Sequence, residues 1–185
     1  MGTLSALYNF WHTYGSDIQN GAVVLSAIAA FAVIRDARRT AKRRGTMDLI
    51  LHQESDNELV EERQKFNKIK AGNIRLSSYG KPDKKSSEQA QTLRKVLNIH
   101  ELTAVAIGEG VIDECVYRRW FNGTYISDYQ ATKGYIAEAR TTHANPHAFS
   151  EFEKTALRWQ EDVNWNTSPG WWGRKVKALR SLWRA

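Results

Sequence analysis

The sequence predicts an all-α chain: an N-terminal transmembrane helix continues as a stalk into a small cytosolic helical domain, and a C-terminal amphipathic helix follows. Three observations predict it. Residues 18–34 form an uncharged, largely apolar run of 17 residues. Apolar residues then recur every three or four positions, and no alternating β-branched run of strand length occurs anywhere. With 185 residues the chain suits one compact domain with appendages. Its 42% hydrophobic and 25% charged content excludes a wholly disordered or collagenous chain. A single cysteine, Cys115, excludes an intramolecular disulfide and any multi-cysteine metal cage.

The run at 18–34 is just long enough for a hydrocarbon core of ~30 Å. Ahead of it, residues 1–17 hold Leu4, Leu7, Tyr8, Phe10, Trp11 and Tyr14, an outward-facing aromatic segment suited to a membrane interface. The mean hydropathy of −0.56 hides this segment inside a polar chain. A buried core helix is the alternative reading. A cleaved signal peptide fails on charge order, because residues 1–17 contain no Lys or Arg and the positive charge follows the apolar run. That charge is Arg35, Arg38, Arg39, Lys42, Arg43 and Arg44 against one acid, Asp36. The positive-inside rule then puts the N-terminus outside and residues 35–185 in the cytosol, with these six side chains at the lipid headgroups.

Residues 35–54 extend the helix as a basic stalk, with Met47, Ile50 and Leu51 as its apolar face and a bend at Gly45. Residues 55–160 form the cytosolic helical domain. Ser55 and Glu58 fit a capping box that opens a helix with Leu59, Glu62, Phe66 and Ile69 on one side. Residues 72–86 read as an exposed loop, and Ser86 with Gln89 as a second box. The next helix carries a buried stripe of Ala90, Leu93, Leu97, His100, Ala104 and Ile107 up to Gly108 and Gly110. His100 on that stripe reads as a hydrogen-bonded core histidine. Asp113 caps a short helix that ends at Gly123, and Ser127 or Asp128 starts another through Tyr135, Ile136 and Ala139. Asn145 and Pro146 mark one more start, followed by Phe149, Phe152, Ala156 and Trp159. Residues 161–170 form a linker. Residues 171–185 place Trp171, Trp172 and Trp183 on an apolar side and Arg174, Lys175 and Lys177 largely opposite, a pattern for lying among lipid headgroups; docking on protein is the rival reading.

No constellation calls for a cofactor or metal, and none supports an enzyme. His143 and His147 are separated by Asn145-Pro146, which prevents a shared helical face. Cys115 has no partner that identifies a base and reads as a small buried hydrophobe. The densest recognition candidate is Arg118, Arg119 and Trp120, since arginine and aromatic planes together suit protein hot spots or phosphate ligands. The bland alternative turns Trp120 to the core and pairs both arginines with acids. Both basic clusters adjoin the apolar or Trp-rich segments, which favours a lipid surface over nucleic acid as partner.

The string ARRTAKRRGTMDLILHQESD, followed by GVIDECVYRRWFNGTYISDY, resembles a bacterial and phage family of uncharacterised membrane-anchored proteins known as a domain of unknown function. The resemblance covers roughly residues 18–159, with Gly45 departing from the alanine expected in the stalk. It implies one span, a charged helix and a small helical cytosolic domain, and it transfers no site residues. The expected role is a single-pass interaction or accessory-subunit protein that recruits or regulates a protein partner or larger membrane complex, with self-association possible. The alternative is a membrane-tethered nucleotide or nucleic-acid sensing effector, for example in phage conflict.

Overall fold

The computed structural model describes residues 2–162 and Trp165, with side chains from Gln19 onward. Every regular element among these residues is helical: α1 (Gly2–Ser55), α2 (Asn57–Ala71), a short 3-10 helix (Leu76–Gly80), α3 (Glu88–Gly108), α4 (Glu114–Thr142) and α5 (Ser150–Glu161). The aromatic side chains before Gln19 and the whole segment 171–185 lie outside the described residues.

At 54 residues, α1 is about 80 Å long at ~1.5 Å per residue. It passes through Gly45 without a helical break, where a bend was expected. Its apolar stretch touches nothing: Val23, Val24, Leu25, Ile28, Phe31, Val33 and Ile34 are each 52 to 68% exposed. Only the last turns join the domain, through Thr46, Ile50 and Gln53, all buried, and the half-buried Leu49. These fall at i, i+3, i+4 and i+7, one helical face. Met47 and Leu51, expected on that face, are exposed because their positions point to the other side.

The docking is polar as well as apolar. Thr46 Oγ1 donates to Lys42 O at 2.8 Å and accepts from Asp113 N at 2.7 Å. Tyr117 OH donates to Gln53 Oε1 at 3.1 Å. A rigid helix is thereby bonded to the start of α4, so the domain cannot swivel about α1 without breaking buried bonds.

Asp56, not Ser55, caps α2: its carboxylate accepts from Leu59 N at 3.1 Å while Ser55 completes α1. Likewise Ser87, not Ser86, caps α3 by accepting from Ala90 N. The expected α2 and α3 faces do point inward: Phe66, Ala90, Leu93, Leu97, His100, Ala104 and Ile107 are buried. The segment expected as an exposed loop contributes to the core, with Leu76 and Tyr79 buried against α4. Gly80 permits that approach, since a Cβ there would sit 2.7 Å from Glu138 Cβ and 3.1 Å from Tyr135 O.

Asp113 caps α4 as expected, accepting from Val116 N. The helix then continues for 29 residues through Gly123 instead of stopping there. A mid-helix glycine costs about 1 kcal/mol, and the buried Phe121 and Tyr125 on either side outweigh it. Asp128 is therefore a mid-helix side chain turned into the core, not a cap. Asn145-Pro146 forms a turn, with Asn145 Oδ1 accepting from His147 N, and α5 begins only at Ser150. Its first amides are capped from another element. Glu101 of α3 accepts from Glu151 N at 3.3 Å and from Phe152 N at 2.7 Å. Phe152 and Trp159 then pack on Tyr125 at ring separations of 4.8 and 4.7 Å, and Ala156 is buried with them. Cys115, expected inside, is exposed.

Candidate functional site

Between the bare stretch of α1 and its docked end lie the six basic residues. At ~100° per residue, Arg35, Arg38, Arg39, Lys42 and Arg43 fall within an arc of about 140°, and only Arg44 points away. The arc is on the same side as Thr46, Leu49, Ile50 and Gln53, so the cationic stripe lies directly beneath the domain. The α3–α4 corner forms its roof. Arg43 Nε pairs with Asp113 Oδ2 at 3.3 Å, and Lys42 Nζ lies 3.7 Å from where a Cβ on Gly110 would be. Val111 at this corner is 65% exposed.

Arg118, Arg119 and Trp120 do not converge. Arg118 is 6% exposed and fully engaged: Nη1 pairs with Asp162 Oδ2 at 2.9 Å, Nη2 donates to Trp159 O and Asp162 O, and Nε donates to Asn122 Oδ1. Its guanidinium also covers Trp159 and Trp165, 5.4 and 4.6 Å from the ring centroids. Its partner acid comes from the end of α5, not from the Glu-rich α2. Trp120, by contrast, is 63% exposed beside the exposed Arg119. The helical period explains the division, since Tyr117, Arg118 and Phe121 share the buried side and positions 119 and 120 oppose it. Arg118 is thus a clamp on the end of α5, and the candidate partner surface reduces to Arg119 and Trp120.

His100 is the hydrogen-bonded core histidine that the sequence predicts, but the buried polar network around it was missed. Asp128, 2% exposed, accepts from Lys70 Nζ at 2.8 Å and lies 3.0 Å from His100 Nε2. Burial opposes its charge, but His100 and Lys70 together hold its carboxyl below the usual aspartate range. His100 stacks on Phe152 at 4.8 Å and meets Tyr125 edge-on. Nearby, Glu62 accepts from Thr92 and pairs with Lys65 and Lys95, which keep its carboxyl low against the opposing effect of burial. Burial also pushes the Tyr117 hydroxyl up to about 12. His100 and Asp128 are sealed from solvent, so they offer no substrate access, and they organise the core where α2, α3, α4 and α5 meet. Among the described residues no three His, Cys, Asp or Glu side chains are placed to share a metal ion.

The sequence model of a family described as a domain of unknown function, DUF4760, matches residues 20–159. The chain belongs to that family. The DUF4760 match takes in the bare apolar stretch of α1, the cationic stripe and the packed domain as one unit, and it ends at the buried Trp159. No curated protein and no solved structure matches the chain. Among the described residues, one helix of this DUF4760 chain is long and apolar enough to cross a membrane, with none of its apolar window buried.

Proposed function

We propose that this DUF4760 protein is a single-pass membrane-anchored interaction or accessory-subunit protein of a bacterial inner membrane. Its N-terminus faces outward, and its helical domain is held at the cytoplasmic face to recruit or regulate a protein partner. The observation that carries the reading is the bare apolar stretch of α1, which runs as one unbroken helix into turns buried in the domain core. A helix of that kind left in water would expose a patch far larger than soluble monomers tolerate.

Thr46 is 12 residues beyond Ile34, about 18 Å along the helix. The headgroup layer, ~5–8 Å deep on each side, therefore meets Arg35, Arg38 and Arg39, with Lys42, Arg43 and Arg44 just above it. Residues 171–185 add a second lipid contact through Trp171, Trp172, Trp183, Arg174, Lys175 and Lys177. In support, Arg118 holds Asp162 and Trp165 near the membrane-facing start of α4. Trp120 and Arg119 supply the exposed aromatic and cationic pair that protein interfaces favour. The sensing alternative loses Arg118, which is engaged inside the protein.

Two experiments test the proposal. The full chain should remain in membrane pellets through an alkaline carbonate wash, and its release would overturn the anchor. Copurification from native membranes should yield a stoichiometric partner that is lost in Trp120→Ala with Arg119→Ala while the anchor stays in place. Retention of the partner by that double variant would remove this face from the proposal.

A further inference from the structure

We propose that the cleft between α3 and the α4–α5 turn binds a small anionic compound through its phosphate or carboxylate groups. The cleft has a volume of about 430 Å³, within the size range of small-molecule sites. Three of its lining residues, Arg94, Asn98 and Glu101, recur at i, i+4 and i+7 on α3. Tyr135 and Ala139 of α4 form part of the floor, and His143 and His147 approach from the turn.

The hydrogen-bond donors left unfilled in the cleft select the ligand class. Glu101 is already committed, because its two oxygens accept from Glu151 N and Phe152 N at the start of α5. The Arg94 guanidinium donates only one long bond, Nη2 to Lys85 O at 3.4 Å, among the described residues. Most of its fork is left for an oxyanion, which it matches in a bidentate manner. The imidazoles of His143 and His147 are exposed on the turn, and Asn98 adds an exposed amide from α3.

The turn that carries the histidines is held in an unfavourable shape. Ala144 (φ 49°) and Phe149 (φ 58°) are both in the left-handed region, and neither is glycine. Backbone of this kind persists where its surroundings enforce it, and it clusters at ligand sites. Here it brackets His147, while Asn145 Oδ1 fixes the tip by accepting from His147 N. Of the two, Phe149 itself lines the cleft. The cleft lies at the far end of α4, about 45 Å along the helix from Asp113, so its test is independent of the anchoring reading.

The test uses the full chain in detergent micelles with histidine 13C-labelled at the ring Cε1, which gives five resonances, for His12, His52, His100, His143 and His147. Inorganic phosphate and citrate are titrated separately, with sodium chloride as the ionic-strength control. The His143 and His147 signals should move together and saturate with at least one of the two anions, and which anion does so assigns the phosphate or carboxylate class. Arg94→Gln should weaken that binding at least tenfold, and Arg94→Lys should weaken it less. The buried His100 signal reports an intact core; should Arg94→Gln disturb it, Asn98→Leu, which narrows the cleft from an exposed position, replaces it and should also abolish saturation. Shifts that never saturate, shifts that chloride reproduces, or unchanged affinity in the variants would overturn the site.

Discussion

Replacing Asp128 by asparagine keeps the shape of the side chain and removes the one charge that both Lys70 and His100 face. Bonds to charged groups contribute about 1.5–3 kcal/mol each, and breaking a buried ion pair by deleting one member costs about 3–5 kcal/mol. Lys70 is 26% exposed at its side chain, so its ammonium can turn partly to water and the loss falls toward the lower end. A destabilisation of about 3 kcal/mol follows, or roughly a 12 °C fall in melting temperature for a domain of this size. The pH dependence gives a second readout. Asp128 has its folded-state pKa below the ordinary 3.8, so the unfolded chain binds more protons as pH falls through that region. Its stabilisation is complete above about pH 4 and is lost as pH drops below that through the folded-state value. Thermal unfolding of the full chain in micelles, followed by near-UV circular dichroism between pH 3 and 7, should show the wild type losing stability in this acid window and Asp128→Asn losing less of it. A melting temperature within 3 °C of wild type at pH 7, together with an unchanged acid slope, would refute the idea that this network holds the core.

Further outcomes follow from the packing. Gly80→Ala should destabilise by about 1–3 kcal/mol, because its Cβ meets the α4 backbone as well as Glu138. Gly123→Ala, in mid-helix with nothing within 4 Å, should stabilise by up to about 1 kcal/mol in the same melting assay. Glu101→Ala removes the acceptor for two amides at the start of α5 and should cost about 1–2 kcal/mol. Faster hydrogen exchange should then appear first at Glu151 and Phe152.

What was legible in the sequence was what depends on periodicity. The apolar run and the stripes on α2 and α3 are properties of one helix seen alone, and they sit where the spacing puts them. The misses share a tertiary cause. Ser55 and Asp56 are chemically equivalent caps, and the choice fell to Asp56 because Gln53 is drawn into the core and α1 runs on to Ser55. The end expected at Gly123 reflects a local propensity that Phe121 and Tyr125 override. The loop at 72–86 was judged by composition, whereas two of its side chains fill a gap against α4. Glu101 capping α5 and Asp128 meeting Lys70 span 50 and 58 positions, and no short motif encodes such distances. Arg118 was expected on a recognition surface, whereas it is buried and its partner Asp162 lies 44 residues on. A polar stripe at Arg94, Asn98 and Glu101 beside the apolar stripe of α3 was the available signal for the cleft.

The account rests above all on α1 crossing a bilayer with the domain on the cytoplasmic side, and the exposed native Cys115 is a built-in reporter of it. The measurement is labelling of cells with the outer membrane removed, using a membrane-impermeant maleimide, on the wild type and on Cys115→Ser carrying Ser5→Cys. The account predicts that Cys115 reacts only after lysis and that the cysteine at position 5 reacts in intact cells. Labelling of Cys115 in intact cells, or protection of both sites until lysis, would contradict it.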